Sequence, residues 1–497
     1  MKLKDIIKNL DYKRLYNLNN PEVNGIAYDS RKVKEKFIFV ALKGTTFDGH
    51  HFINDAISRG AKIIVVSKKS PVLPSDVGEI VVEDTREALH TIAAEFYGHP
   101  SKKLRVVGIT GTNGKTTTSF IIKHILEKSG NKCGLIGTIS YQIGERAISS
   151  VNTTPESLDI QKLFYDMVEA GCNWAVMEVS SHGIAQGRIS KINFDTGIFT
   201  NIASHEHLDY HKSFRNYLNA KLKFFNYYLK ESEKERKVGI VNNDDKCAGY
   251  FIKCLKKNGI ECITYGRKKS DIQIVDYAMK KDGNYLIVET KGTRIEFYTN
   301  LKGLGNIYNS LAGISFGISE GIPIDILKEA LASITYVSGR FESVDEGQNF
   351  DVIVDYAHTH HALSNLLHSV KELHPKRIIL VFGCGGDRDK TKRPLMGNIA
   401  VKMADIVFIT SDNPRSEDPQ DIIDDIEKGI PFYLRKKYVA IIDRKQAIKE
   451  AISIARENDC VVIAGKGHET FQILKNTVVP FDDREEARKA IRERLKS

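Results

Sequence analysis

Short apolar runs, rich in β-branched residues, alternate along most of this chain with stretches of helical periodicity. In the first hundred residues, 38–42 and 62–66 read as strands, with a helix over 51–59 ended by Gly60. A second helix is predicted over 85–97, and Gly98-His99-Pro100 marks a boundary. Val106, Val107 and Ile109 then read as a buried parallel strand, with a helix opening at Thr116. Strands are predicted at 133–139, 174–182 and 194–200, and helices at 158–170 and 213–229. The stretch 236–300 is β-rich and less regular. Helices at 306–319 and 324–332 lead to Val337–Glu342, which reads as an interdomain hinge. Strands at 351–356, 377–382, 405–410, 438–442 and 460–464 then alternate with helices. This alternation predicts an α/β protein of three domains. They are an N-terminal α/β domain (1–100), a central P-loop ATPase-like doubly wound domain (101–336) and a C-terminal Rossmann-like domain (337–497).

The polar interruptions carry the chemistry. Between the strand at 106–109 and the helix at 116 stand Gly111, Thr112, Asn113, Gly114 and Lys115, followed by Thr116 and Thr117. Strand, glycine loop, lysine, hydroxyl and helix form a cradle for nucleotide phosphates. Glycines let backbone N–H groups face the anion, the helix N-terminus adds its dipole, Lys115 brings a point charge, and the Thr116 hydroxyl can ligate magnesium. The usual pattern wants a glycine five residues before Gly114, and that position is Ile109.

Glu178 interrupts an apolar strand and needs a partner, either magnesium or a buried Arg or Lys. His205, His207 and His211 with Glu206 and Asp209 suggest a hard cation using one imidazole, since the spacing is not that of a structural zinc site. Lys221, within SFRNYLNAKLKFFNYYL, reads by itself as a helix lysine that snorkels past Leu218, Phe224 and Phe225. Two N-terminal clusters, Tyr28–Arg31 and Gly44–His50, read as turns able to contact a ligand. In the last domain, polar loops follow three strands, at Gly383–Asp389, Ser411–Arg415 and Gly465–Glu469. Loops after parallel strands gather at one sheet edge, so these should line one site, and their guanidinium groups suit a small acidic substrate. At this level ligases, kinases and transport ATPases all remain open.

Composition narrows the setting. A chain of 497 residues with 41% hydrophobic and 27% charged residues is globular and multidomain. The 73 basic and 63 acidic residues are dispersed, which points to a solvated surface and an anionic substrate rather than nucleic acid. The charged N-terminus lacks a signal-type apolar region, and no run reaches the length of a membrane span. Seven cysteines without a C-x-x-C pair read as free thiols in a reducing cytoplasm. The expectation is a cytoplasmic monomer with small-molecule substrates, binding neither nucleic acid nor membrane.

The motifs also carry a resemblance. They are Asp29-Ser30-Arg31, TGTNGKTT (110–117), NTTP (152–155), MEVSSH (177–182), EHLDYH (206–211), Ala220-Lys221, Tyr308-Asn309, GRFE (339–342), DYAH (355–358), GCGGDRDKTKRP (383–394), DNPR (412–415), GKGHE (465–469) and DDRE (482–485). Over nearly its whole length the chain resembles the Mur ligases, ATP-dependent amide-forming enzymes of peptidoglycan precursor synthesis. It is most similar to those that add the third residue to UDP-N-acetylmuramoyl-L-alanyl-D-glutamate. The resemblance implies that ATP phosphorylates the D-glutamyl carboxylate and that the incoming amine attacks the acyl phosphate.

It also implies roles. Gly111 to Thr117 would hold the phosphates, with Lys115 on the transferred group. Thr116, Glu178 and His207 would bind magnesium, and Lys221 would be carbamylated to hold a second ion. Asn309, Arg340, Asp355 and His358 resemble ATP-contacting positions, and Ser30, Asn152, Thr153, Thr154, Ser180 and Arg188 those binding the UDP-sugar dipeptide. Arg388, Asp412, Asn413, Pro414, Arg415, Gly465 and Glu469 match the form that takes meso-diaminopimelate, whose distal carboxylate Arg415 would clamp. The alternatives are the same ligase using L-lysine, a folylpolyglutamate synthase-like ligase, and an inactive scaffold relative. Two departures stand out. His360 and His361 replace a usual proline and acid, and a longer stretch before EHLDYH leaves His205 as a rival to His207.

Overall fold

The computed structural model describes residues 1–496 apart from Thr45, Thr46, Val72, His205, Lys281 and Asn476. The rival ligand His205 and part of the turn at 44–50 therefore lie outside the described residues. Three large sheets organise the chain, as the alternation predicts, and the fold is α/β.

The first sheet has five strands, in the order Arg14–Tyr16, Gly78–Val81, Ala61–Val66, Phe37–Val40 and Gly25–Ala27. All neighbours are parallel except the first pair. The helix Thr85–Phe96 lies where its periodicity puts it, capped by the Asp84 carboxylate, which accepts from the amides of Arg86 and Glu87. The expected helix at 51–59 splits into a 3₁₀ turn, Gly49–Phe52, and a shorter α-helix, Ile53–Ser58.

The central sheet has eleven strands. Its parallel core runs Glu261–Gly266, Val238–Asn242, Thr196–Phe199, Arg105–Thr110, Trp174–Glu178 and Cys133–Ile136. Arg105–Thr110 comes first in the chain yet lies in the middle. The next two parallel strands go to one side and the following three to the other. The loop after Arg105–Thr110 therefore opens at the topological switch point, where ligands bind in such sheets. Ile109, at the position of the missing glycine, is fully buried inside this strand, where no turn needs a glycine.

Local departures have local causes. The strand predicted over 133–139 ends at Ile136, and the chain then makes the hairpin Ser140–Ile143 with Arg146–Ser149. The β-rich stretch contains the helix Ala248–Lys257, whose apolar Ala248, Phe251 and Leu255 are buried at helical spacing. The helix over 213–229 is α-helical only over Phe214–Lys223 and widens to a π-turn over Phe224–Leu229. That turn buries Phe224, Phe225, Tyr228 and Leu229 together.

The third sheet runs Glu342–Ser343, Asp351–Asp355, Cys460–Ala464, Ile378–Phe382, Ile406–Ile409 and Tyr438–Ala440, parallel after its first strand. The His360–Lys371 helix starts normally despite its two unusual histidines, because Thr359 is its cap and accepts from the Ala362 amide. A separate hairpin, Phe471–Leu474 with Thr477–Pro480, has no clear signature in the sequence. All seven cysteines are free.

Candidate active site

The phosphate loop is held by its neighbours on the sheet. The amide of Asn113 donates to the Asn201 side chain at 2.9 Å, and the Thr112 amide donates to the Asn201 carbonyl at 2.8 Å. The Asn113 carbonyl accepts from Thr200 at 2.7 Å and from Asn201 at 3.1 Å. Gly111 is pressed so closely on Thr200 that an added Cβ would lie 1.8 Å from its hydroxyl. Gly114 has φ +85°, and a Cβ there would lie 2.4 Å from Asn309 Oδ1. Both glycines are therefore required by close approach, and the second also by a left-handed backbone. The Lys115 ammonium folds over the loop and donates to the carbonyls of Gly111 and Thr112, both at 2.9 Å. Burial depresses its pKa, the nearby Arg340 guanidinium adds to that, and Glu178 opposes it.

Glu178 has no cationic side chain in ion-pair contact among the described residues. Instead its fully buried carboxylate accepts from the Thr116 hydroxyl at 2.9 Å, the Thr138 amide at 2.8 Å and the Thr138 hydroxyl at 3.0 Å. The expectation of a buried Arg or Lys partner is thus corrected: neutral donors surround the charge, which leaves it available to a cation. Thr138 was missed because its register depends on the unforeseen hairpin that follows it.

Lys221 does not snorkel. It is 1% exposed, and its ammonium lies 4.7 Å from the centre of the Tyr217 ring. Burial drives its pKa well below that of an ordinary lysine, and Lys115 pushes the same way. The π-turn after it turns Phe224 and Phe225 into the core, which seals the helix face that a snorkelling side chain would need. His207, in a left-handed backbone conformation, faces His182, with ring centres 5.2 Å apart. Burial, helped by Lys115 and Lys221, lowers its pKa to about 3, so its imidazole is neutral and able to ligate a metal. Among the described residues no three His, Cys, Asp or Glu side chains form a preassembled metal cluster. The Thr116 hydroxyl, the Glu178 carboxylate and the His207 imidazole nevertheless line one cleft. That donor set fits a hard divalent cation whose remaining ligands are phosphate oxygens and water.

The cleft encloses about 930 Å³. It brings together Gly111 to Thr117, Asn152, Thr153, Thr154, Glu178, Ser180, Arg188, His207, Lys221, Asn309, Arg340, Asp355 and His358. Several are tied to each other. Thr154 donates to the Glu178 carbonyl at 2.8 Å and accepts from the Ser180 amide at 3.0 Å. Arg188 donates to the Thr154 carbonyl at 2.8 Å and pairs with Glu156 at 3.2 Å. Asn309 accepts from the Thr118 hydroxyl at 3.3 Å. The C-terminal domain reaches in through Arg340, which donates to the Thr116 hydroxyl at 3.2 Å, and through Thr359, which donates to Glu206 at 2.6 Å. Asp355 accepts from the amides of Phe341 at 2.7 Å and Ala357 at 2.8 Å, fixing the turn that carries Arg340.

Ser30 is not in this cleft. It is buried at the start of a 3₁₀ turn in the first domain, which docks on the central one through Tyr28 to Asp159 at 2.6 Å and Arg86 to Glu156 at 2.7 Å. Arg388, Asp412, Asn413, Pro414, Arg415, Gly465 and Glu469 also lie outside it, gathered at the edge of the third sheet. Asn413 donates to Glu469 at 2.9 Å and accepts from Lys466 at 3.1 Å. A Cβ on Gly465 would lie 2.8 Å from the Asp412 carboxylate. Arg415 donates to the Gly386 carbonyl at 2.8 Å, and a Cβ on Gly385 would meet both Arg415 and Arg388 within 4 Å. The three loops therefore meet, as their positions after parallel strands require. Tyr356 links the two places: it lines the cleft, lies under Arg340 at 4.8 Å and packs on His468 at 4.8 Å. It lies inside the DYAH motif, where Asp355 and His358 were singled out and Tyr356 was not.

Comparison with known proteins places all three domains. Residues 22–97 match the Mur ligase family catalytic domain, 109–317 the Mur ligase middle domain, and 339–467 the Mur ligase glutamate ligase domain. The chain is 45% identical over 496 residues to UDP-N-acetylmuramoyl-L-alanyl-D-glutamate–2,6-diaminopimelate ligase 1 of Clostridium acetobutylicum, covering 99% of this chain and 100% of that one. A solved structure of a ligase of that name is 30% identical, with TM-score 0.70 and full coverage of both chains. The MurF ligase of Thermotoga maritima, solved in complex with ADP, shares the fold at 18% identity and TM-score 0.64, covering 95% of this chain and 97% of that one.

Proposed function

The chain belongs to the Mur ligase family, and on that premise we propose that it joins meso-diaminopimelate to the D-glutamyl carboxyl group of UDP-N-acetylmuramoyl-L-alanyl-D-glutamate with ATP, in peptidoglycan precursor synthesis. The observation that carries the reading is the meeting of Arg388 and Arg415 at three loops next to a phosphate cleft. A substrate with a carboxylate beyond its reacting amine is what guanidinium groups on such adjoining loops select. L-Lysine has no distal carboxylate and would forgo that charged hydrogen bond.

In this reading residues 1–100 receive the UDP-sugar with Ser30, 101–336 hold ATP, and 337–497 bring the amino acid. Gly111 to Thr117 cradle the phosphates, Lys115 contacts the transferred group, and Asn309, Arg340, Asp355 and His358 position the nucleotide. Asn152, Thr153, Thr154, Ser180 and Arg188 hold the dipeptide so that its carboxylate oxygen faces the γ-phosphorus. A carboxylate is a poor electrophile until its oxygen becomes part of a leaving group. Phosphoryl transfer to it depends on alignment and charge neutralisation, which this cleft supplies. The diaminopimelate amine then attacks the acyl carbon and expels phosphate. Asp412, Asn413, Pro414, Gly465 and Glu469 orient that amine while Arg388 and Arg415 hold the far end.

Thr116, Glu178 and His207 would hold one magnesium ion and a carbamylated Lys221 a second, and the bound ions would supply neutralisation of the phosphate charge. Carbamylation needs a neutral amine, and the depressed pKa of Lys221 provides it. Its nitrogen lone pair attacks carbon dioxide, a C=O electron pair moves to oxygen, and the amine proton passes to water. The neutral amine becomes a carbamate anion. The presence in one cleft of Lys115, Thr116, Glu178 and Lys221 argues against an inactive scaffold. The enzyme on this view is a cytoplasmic monomer. No helix among the described residues is long and apolar enough to cross a membrane.

The test is to incubate the purified chain with ATP, Mg²⁺, the UDP-muramoyl dipeptide and meso-diaminopimelate. The product mass should rise by one diaminopimelate residue, with one ADP formed per product. ADP formation without a new amide would overturn the assignment.

A further inference from the structure

The side chain of Arg393 is fully buried, yet it touches no part of the nucleotide cleft. Its two terminal nitrogens are fully engaged, while the buried Nε has no hydrogen-bond partner among the described residues. Nη1 donates to Glu417 at 2.9 Å and Asp425 at 3.0 Å, and Nη2 donates to Glu417 at 2.9 Å and the Gly385 carbonyl at 3.4 Å. Glu417 in turn accepts from the Asp387 amide at 2.6 Å. The Asp387 carboxylate accepts from the Ser416 hydroxyl at 2.6 Å and the Ser416 amide at 3.2 Å. One guanidinium thus ties the loop bearing Arg388 to the loop bearing Arg415.

Those loops need tying. Asp387 and Arg415 both have φ of 52°, a left-handed conformation that residues with a Cβ adopt only when their surroundings hold them there. Gly386 is wedged under the second loop, since a Cβ on it would lie 1.8 Å from the Pro414 carbonyl oxygen. A buried arginine paired with partly exposed carboxylates is a poor source of stability, because apolar side chains of similar volume commonly do as well. It does fix geometry, since the planar fork bonds to several groups in one orientation.

We propose that Arg393 is a positioning residue for amino-acid selection: through Glu417 and Asp387 it sets the spacing and direction of Arg388 and Arg415, and so the fit of the distal carboxylate. The inference rests on the amino-acid site proposed above. Arg393 itself touches no substrate, so its effect is confined to one of the three substrates.

The experiment measures steady-state kinetics of Arg393→Lys, Glu417→Gln and Arg415→Ala beside the wild type, with each of the three substrates varied in turn. Arg393→Lys keeps the charge but loses the fork. Its KM for meso-diaminopimelate should rise about tenfold or more while kcat and the KM values for ATP and the UDP-dipeptide stay within about twofold. Its preference for meso-diaminopimelate over L-lysine should fall by a similar factor. Glu417→Gln keeps an acceptor for the Asp387 amide without the negative charge, so it tests the same link if Arg393→Lys folds poorly; it should move the same KM in the same direction by a smaller factor. Uniform loss across all three substrates, or an unchanged diaminopimelate KM in both variants, would overturn the proposal. An unchanged diaminopimelate KM in Arg415→Ala would instead overturn the underlying site.

Discussion

The nucleotide cleft and the amino-acid loops treat charge in opposite ways. In the cleft, Glu178 is surrounded by hydroxyls and an amide, and Lys115 by carbonyls. At the amino-acid loops, Arg393 is matched by Glu417 and Asp425, Lys466 by Glu469, and Arg444 by Asp483 at 2.7 Å with neither side chain exposed. Buried charges without a counter-ion are costly unless something arrives to neutralise them. The cleft therefore stores charge for ligands, while the loops use charge as scaffolding and leave Arg388 and Arg415 at the surface of that scaffold.

This contrast predicts which substitutions stop the reaction and which redirect it. The largest effect belongs to Lys115→Ala, which removes the ammonium facing the transferred phosphoryl group and should lower kcat for ADP formation by about a thousandfold. The unfolding midpoint should hardly move, because the ammonium bonds only to two carbonyls of its own loop. Lys221→Ala should be almost as severe, and short carboxylates or bicarbonate should restore part of the activity by standing in for the carbamate. Full activity without additives would remove the carbamate from the account. Arg415→Ala should act on one substrate alone, raising the KM for meso-diaminopimelate by about a hundredfold, the worth of a charged hydrogen-bonded pair of about 2–3 kcal/mol.

The smallest effect is a pH dependence of stability. Arg393 holds the Glu417 carboxyl well below its ordinary 4.5, at about 2. A depressed carboxyl contributes stability that is complete above its ordinary value and is lost as pH falls toward the depressed one. The difference in urea midpoint between wild type and Glu417→Gln should therefore be constant near neutrality and shrink as the pH falls from 4.5 toward 2. A difference that persists unchanged to the acid end would mean the charge of Glu417 is not what ties the loops.

The two regions were also unequally legible in the sequence. The phosphate loop is contiguous: strand, glycines, lysine and hydroxyl follow one another, and local geometry fixes their meeting. The three amino-acid loops were placed together by the rule that loops after parallel strands share an edge, and they do meet. What stayed hidden were groups whose role comes from packing between segments. Thr138 reaches Glu178 across a hairpin, Tyr356 joins cleft to loops, and Arg393 and Arg444 are charged residues whose full burial contradicts their type. Lys221 was misread from its residues for a related reason: helical spacing put it on a surface that a π-turn and two phenylalanines then closed. Its motif, and not its periodicity, pointed to the cleft.

The most direct measurement is phosphate release by the wild-type enzyme with ATP and the UDP-muramoyl dipeptide, comparing meso-diaminopimelate with L-lysine at equal concentration. The arrangement of Arg388 and Arg415 predicts that kcat/KM favours meso-diaminopimelate by about a hundredfold or more. Equal or faster turnover with L-lysine would contradict it.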